Sequence, residues 1–130
     1  MSLDSAGEFR KWKIAVKPVL MSMMAVLYFA QDASTRSTQV MLAAGDQLQA
    51  ASSHAITWIP SHRCPRTDLD GMFIRMARSY SDVADLIESE VRSPRGPDRR
   101  AVSQELAGLV GSMAVMWSVM REQSEAESSW

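Results

Sequence analysis

Apolar residues in this chain recur at alternating spacings of three and four in four separate stretches, and no stretch alternates with period two. A 3–4 repeat keeps one apolar stripe on one side of an α-helix, whereas a half-buried strand would need the two-residue period. The first stripe is Phe9, Trp12, Val16, Val19, Met23 and Val26, and the second is Met41, Ala44, Leu48, Ala51, Ala55 and Trp58. The third is Leu69, Phe73, Met76, Tyr80, Val83 and Ile87, and the fourth is Val102, Leu106, Leu109, Met113, Met116 and Met120. One-sided helices of similar length need one another to take those stripes out of water. The expected fold is therefore all-α, an antiparallel up-down-up-down four-helix bundle.

Helices are expected over residues 6–32, 36–58, 68–92 and 98–122 of a single domain. Ser5 followed by Glu8, and Thr67 followed by Asp70, match the capping-box pattern. Pro60 and Pro65 bracket one loop, Ser93-Pro94-Arg95-Gly96-Pro97 makes another, and Asp98 is placed to cap the last helix. Pro18 removes a donor inside the first helix and is expected to bend or restart it. Residues 31–39 hold no Gly or Pro, so serine and threonine must make the break, expected near Ser34 to Ser37. The alternative is three helices with one long N-terminal helix, which would leave a stripe uncovered and force dimerisation. The acidic, serine-rich tail over 123–130 is expected to be disordered.

At 130 residues, with 46% apolar and 22% charged residues, the chain has the make-up of one ordinary globular domain. A net charge of −1 argues against a protein built to hold nucleic acid. Cys64 stands alone, so no intramolecular disulfide forms, which suits a reducing cytoplasm. Arginine-over-lysine usage with abundant alanine points to a GC-rich bacterial source. Lys11, Lys13 and Lys17 precede the run PVLMSMMAVLYFA, which has the outline of a signal peptide. Against that, Asp4 and Glu8 interrupt the basic region, and bulky Tyr28 stands where cleavage after Ala30 would need a small residue. Thirteen apolar residues also fall short of the roughly 20 that span a bilayer, so a buried first helix and no membrane span are expected.

Candidate chemistry gathers in the loop Trp58 to Arg66. His54, His62 and Cys64, with Asp68 nearby, offer ligands for zinc, though no Cys-x-x-Cys or His-x-x-x-His pair is present. Arg63 and Arg66 flank Cys64 and would lower its pKa, with His62 or His54 as a base. No orienting group or oxyanion hole accompanies them, so Cys64 is expected to behave as an ordinary surface thiol. In a plainer reading, Trp58 and Ile59 close the core while the loop passes over it. A ferritin-like di-metal centre needs Glu-x-x-His pairs, and neither histidine has a Glu three residues before it. Asp82, Asp85, Glu88 and Glu90 read as a solvated face. No cofactor and no enzymatic activity are expected.

Arg95, Arg99 and Arg100 crowd the start of the last helix, where free amides would help them bind an anion. Ten methionines favour irregular gap-filling and adaptable surfaces. The first helix is apolar nearly all round, because Met21, Tyr28 and Phe29 add to its core stripe. One core cannot hide every face, so a second buried surface is expected, either a homodimer interface or a groove for another protein's helix. Met21, Phe29 and Trp117 are the candidate interface residues. The Trp-x-Gly turn of small secreted actinobacterial helical proteins is absent, since residues two beyond Trp12, Trp58 and Trp117 are Ile14, Pro60 and Val119. The expected function is a non-enzymatic interaction or regulatory module. The alternative is a ligand- or metal-binding bundle using His54, His62 and Cys64 or a cavity between helices.

Overall fold

Ser37 makes the first break in the helical chain. Its backbone is extended, and its hydroxyl accepts from the Val40 amide at 3.3 Å, satisfying an orphan donor of the next helix. Just before it, the Ser34 and Thr35 hydroxyls donate to the Gln31 and Asp32 carbonyls at 2.7 and 3.0 Å. These side chains compete with the helical ladder and end it. The single long N-terminal helix therefore does not form. A computed structural model describes the backbone of residues 3–128 and the side chains of residues 6–121. It contains α1 (Leu3–Ala33), α2 (Thr38–Trp58), α3 (Thr67–Val91) and α4 (Arg99–Ser128), with a short 3-10 turn at Ile59–Ser61. The described structure is 86% helical, with no strand among the described residues. Each helix packs on the next and α4 closes back onto α1, which is an antiparallel up-down-up-down bundle.

Some local expectations need correction. Helix α1 already runs from Leu3, so Ser5 lies inside it rather than at its cap. Thr67 is the first residue of α3, whose N-cap is Arg66 with no side-chain cap bond. Asp70 is engaged elsewhere, as described below. Pro18 does not interrupt α1. The carbonyl it leaves without a donor is that of Ile14, on the exposed side of the helix, where water can satisfy it. Asp98 caps α4 as expected, accepting from the Ala101 amide at 3.1 Å, and Gly96 makes the preceding turn at φ +83. The tail expected to be disordered over 123–130 instead continues α4 as far as Ser128, and residues 129 and 130 lie outside the described residues.

The four apolar stripes form one core, with Val26, Ala51 and Trp58 only half-buried and Leu20, Leu27, Ala30, Ala77 and Ala84 added. Packing is closest between α2 and α3, where small residues line the contact. A β-carbon on Gly45 would stand 3.4 Å from Ile87 Cγ2. Across the same layer the Ser52 hydroxyl donates to the Ala77 carbonyl at 2.7 Å. The Tyr80 hydroxyl donates to the Met23 carbonyl at 2.9 Å, and burial raises its pKa. Among the described residues, no buried side-chain polar atom lacks a partner.

Chemical denaturation should resolve these contributions. Leu48→Ala in the core is expected to cost about 2–5 kcal/mol, and Tyr80→Phe about 1 kcal/mol. Gly111→Ala, where an added β-carbon meets nothing within 4 Å, is expected to stabilise by about 0.5–1 kcal/mol.

Candidate functional site

The loop between α2 and α3 is organised by a buried carboxylate. Asp70, in the first turn of α3, accepts from the Cys64 amide at 3.1 Å and from both Nε and Nη2 of Arg63, with Nε at 2.8 Å. Asp70 holds the Arg63 guanidinium charged, raising its pKa above the ordinary value. From the other side, the Trp12 indole donates to the His62 carbonyl at 2.8 Å. The His62 ring stacks on Trp58 with centroids 4.2 Å apart, and its Nδ1 lies 2.9 Å from the Trp58 carbonyl oxygen. Phe9, Trp12, Trp58 and Phe73 gather beneath. The loop passes over one end of the core, with Ile59 buried and Trp58 half-buried beneath it.

That arrangement does not bring the candidate metal ligands together. His54 is exposed on α2, His62 is folded onto Trp58, and Cys64 is buried. No group of three His, Cys, Asp or Glu side chains could hold a metal ion among the described residues. The thiol expectation is corrected too. Burial pushes the Cys64 pKa up to about 11, outweighing the opposing influence of Arg66, while Arg63 is neutralised by Asp70. Arg66 pairs with Asp68 at 3.0 Å and holds that carboxyl below its usual range.

The arginines at the opposite end do not converge either. Arg99 Nη1 donates to the Ser34 carbonyl at 2.9 Å and lies 3.1 Å from Met41 Sδ, bracing α4 against the end of α1. Arg95 and Arg100 are exposed. The helix N-terminus that an anion would use already holds the Asp98 carboxylate, so the expected anion site is not assembled.

The remaining candidates lie on α1 and its seam with α4. Ile14, Met21 and Tyr28 are 75%, 56% and 60% exposed, seven residues apart along the back of α1. Phe29 is half-buried beside them. Between α1 and α4 runs a groove of about 590 Å³ bordered by Met21, Met24, Tyr28, Val110 and Trp117, with Lys17 and Arg121 toward one end. The Trp117 indole donates to Met24 Sδ at 2.9 Å and forms part of its floor. Two of the expected interface residues, Met21 and Trp117, thus share one groove. Ile14 was missing from the expected set, although its spacing of one heptad from Met21 would have found it. Leu42 and Ile56 are also exposed, but polar Gln49 separates them on α2, and isolated apolar residues are ordinary.

Helix α1 is longer than its apolar run suggests. Within the helical stretch Ala6–Ala33 an 18-residue window reaches a mean hydropathy of 1.5, so by length and composition alone this helix is a candidate to cross a membrane, and thirteen consecutive apolar residues understate its reach. The same helix places Val16, Leu20, Met23, Leu27 and Ala30 in the bundle core.

Cys64 is expected to alkylate at least about tenfold more slowly than free cysteine at pH 8, and Asp70→Asn to speed it by loosening the loop. Because its folded pKa lies above the ordinary value of 9.0, Cys64 favours the folded state fully below pH 9. That contribution is lost as pH rises from 9 through about 11, and urea midpoints of the wild type and Cys64→Ala should converge over that window.

The chain matches no known protein-family model, no curated protein and no solved structure.

Proposed function

We propose that this chain is a non-enzymatic interaction module whose working surface is the back of α1 together with the adjoining α1–α4 groove. The observation that carries this reading is the exposed row Ile14, Met21 and Tyr28 on the side of α1 away from the core. The row extends over about 21 Å at 1.5 Å per residue, a length that suits an opposing helix better than a small molecule. Its Met-rich surroundings adapt to a partner's side chains, and Trp117 supplies a half-buried aromatic anchor. The polar residues of the α2–α3 loop, meanwhile, are spent on holding that loop in place. In this reading the protein works in the cytoplasm, with α1 satisfied by the bundle on one face and by a partner on the other.

A second reading follows from the groove itself. Its volume falls within the range of small-molecule sites, and Lys17 and Arg121 toward one end of an apolar trough would suit an amphiphile with an anionic head. A monomer carrying an organic adduct in native mass spectrometry would favour it.

The interaction reading is tested by placing a photo-reactive amino acid at Met21, and separately at exposed Gln47 on α2, in cells that express the chain. A discrete protein adduct from position 21 and none from position 47 is the expected result. No adduct at 21, or the same adducts from both positions, would sink the reading. Met21→Lys should leave folding stability within about 0.5 kcal/mol, because the side chain is solvent-facing.

A further inference from the structure

We infer that the occupant of the α1 surface is a second copy of this chain, laid antiparallel across it with Met21 at the two-fold axis. The inference rests on the reading of α1's back as a docking face. At about 100° per residue, Arg10, Ile14, Met21, Tyr28 and Asp32 all fall within about 20° of one line along the helix. Their spacing is symmetric about the centre. Ile14 and Tyr28 each lie seven residues from Met21, and Arg10 and Asp32 each lie eleven from it. A two-fold interface needs this property, since residue i must meet j while j meets i.

Turned end for end, the face complements itself. Ile14 of one copy packs on Tyr28 of the other, twice, while the two Met21 side chains meet at the axis. Lys17 falls opposite the small Ala25, which leaves room for its aliphatic stem. Charge selects the same direction. Arg10, Lys11, Lys13 and Lys17 crowd the N-terminal part of α1, and Asp32 stands at its other end. A parallel pair would set the cations against each other, whereas the antiparallel pair sets each Arg10 beside an Asp32 carboxylate. Asp32 already pairs through Oδ2 with exposed Arg36 at 2.8 Å, and a carboxylate has a second oxygen for a second guanidinium.

The test combines sedimentation velocity over a dilution series with cross-linking of the full chain by a short bis-maleimide. Met21→Cys is expected to cross-link to itself. Ile14→Cys mixed with Tyr28→Cys should give a heterodimer in much higher yield than either variant alone. Asp32→Arg should raise the dimer dissociation constant roughly tenfold, since the pair occurs twice, and adding Arg10→Asp should restore it. Preferential Ile14-to-Ile14 cross-links would mean a parallel pair and would overturn the inference. A monomer at every concentration would also overturn it, and photo-adducts from Met21 to other proteins would then show that the docking face survives. A dimer that cross-links through none of these positions, with no photo-adduct at Met21, would sink both readings. Flotation of the monomer with phosphatidylcholine vesicles would replace the second copy with a membrane surface.

Discussion

Each helix of this chain carries an apolar stripe that is tolerable only while the other three cover it. Isolated helices gain little from their own hydrogen bonds in water, so the mutual burial of stripes is what makes them helices at all. The way each pair meets that demand differs. Between α2 and α3, Ala44, Gly45, Ser52, Ala77 and Ala84 let the backbones approach closely, and Ser52 ties the layer with a buried hydrogen bond. Across α1 and α4, the larger Met24, Met113 and Trp117 hold the helices further apart and leave a groove. The tight layer and the open seam are two consequences of one requirement met with small residues on one side and methionines on the other.

Polar residues in this molecule mostly position backbone. Asp70 draws the α2–α3 loop inward through the Cys64 amide, Arg99 ties α4 to the end of α1, and Ser37 and Asp98 start helices. Once a side chain is spent this way, its chemistry is spent too. Cys64 illustrates the point. The hydrogen bond from its backbone amide to Asp70 fixes its place in the loop, where its sulfur lies out of water, and the desolvated thiol has its pKa pushed up to about 11.

The bundle was legible because periodicity is a local property: Phe73, Met76, Tyr80 and Ile87 declare their helix face without reference to anything distant. The break at Ser34 to Ser37 was legible for a similar reason, since the hydroxyls act on carbonyls within one turn. What the sequence could not show was competition. Thr67 and Asp70 have capping-box spacing, but Asp70 has a better partner in a loop amide and an arginine, and spacing carries no record of that choice. Arg63 and Arg66 beside Cys64 suggest an activated thiol, yet whether a neighbouring cation or burial wins depends on where the loop lies in three dimensions. The excess of apolar surface on α1 was readable as composition. Its arrangement was readable only once the core face was known, because Ile14, Met21 and Tyr28 stand out by lying opposite Trp12, Val19 and Ala30.

A surface of this kind has a particular relation to folding. The core is complete without it: Leu20, Met23, Leu48, Tyr80 and Met116 are already out of water in the single chain. The core of the single chain is thus assembled without any contribution from Ile14, Met21 or Tyr28. A few exposed apolar side chains flanked by lysines and arginines make a narrow patch, far from the broad apolar faces of obligate dimers. Association through such a patch would depend on concentration and on salt, because exposed charge would supply part of its selectivity. In the proposed association the stripe that builds the fold is separate from the stripe that would meet a partner, so one helix would serve both purposes. A change at Met21 can then alter association while leaving the fold intact, whereas a change at Met23, two residues on, must disturb the fold itself.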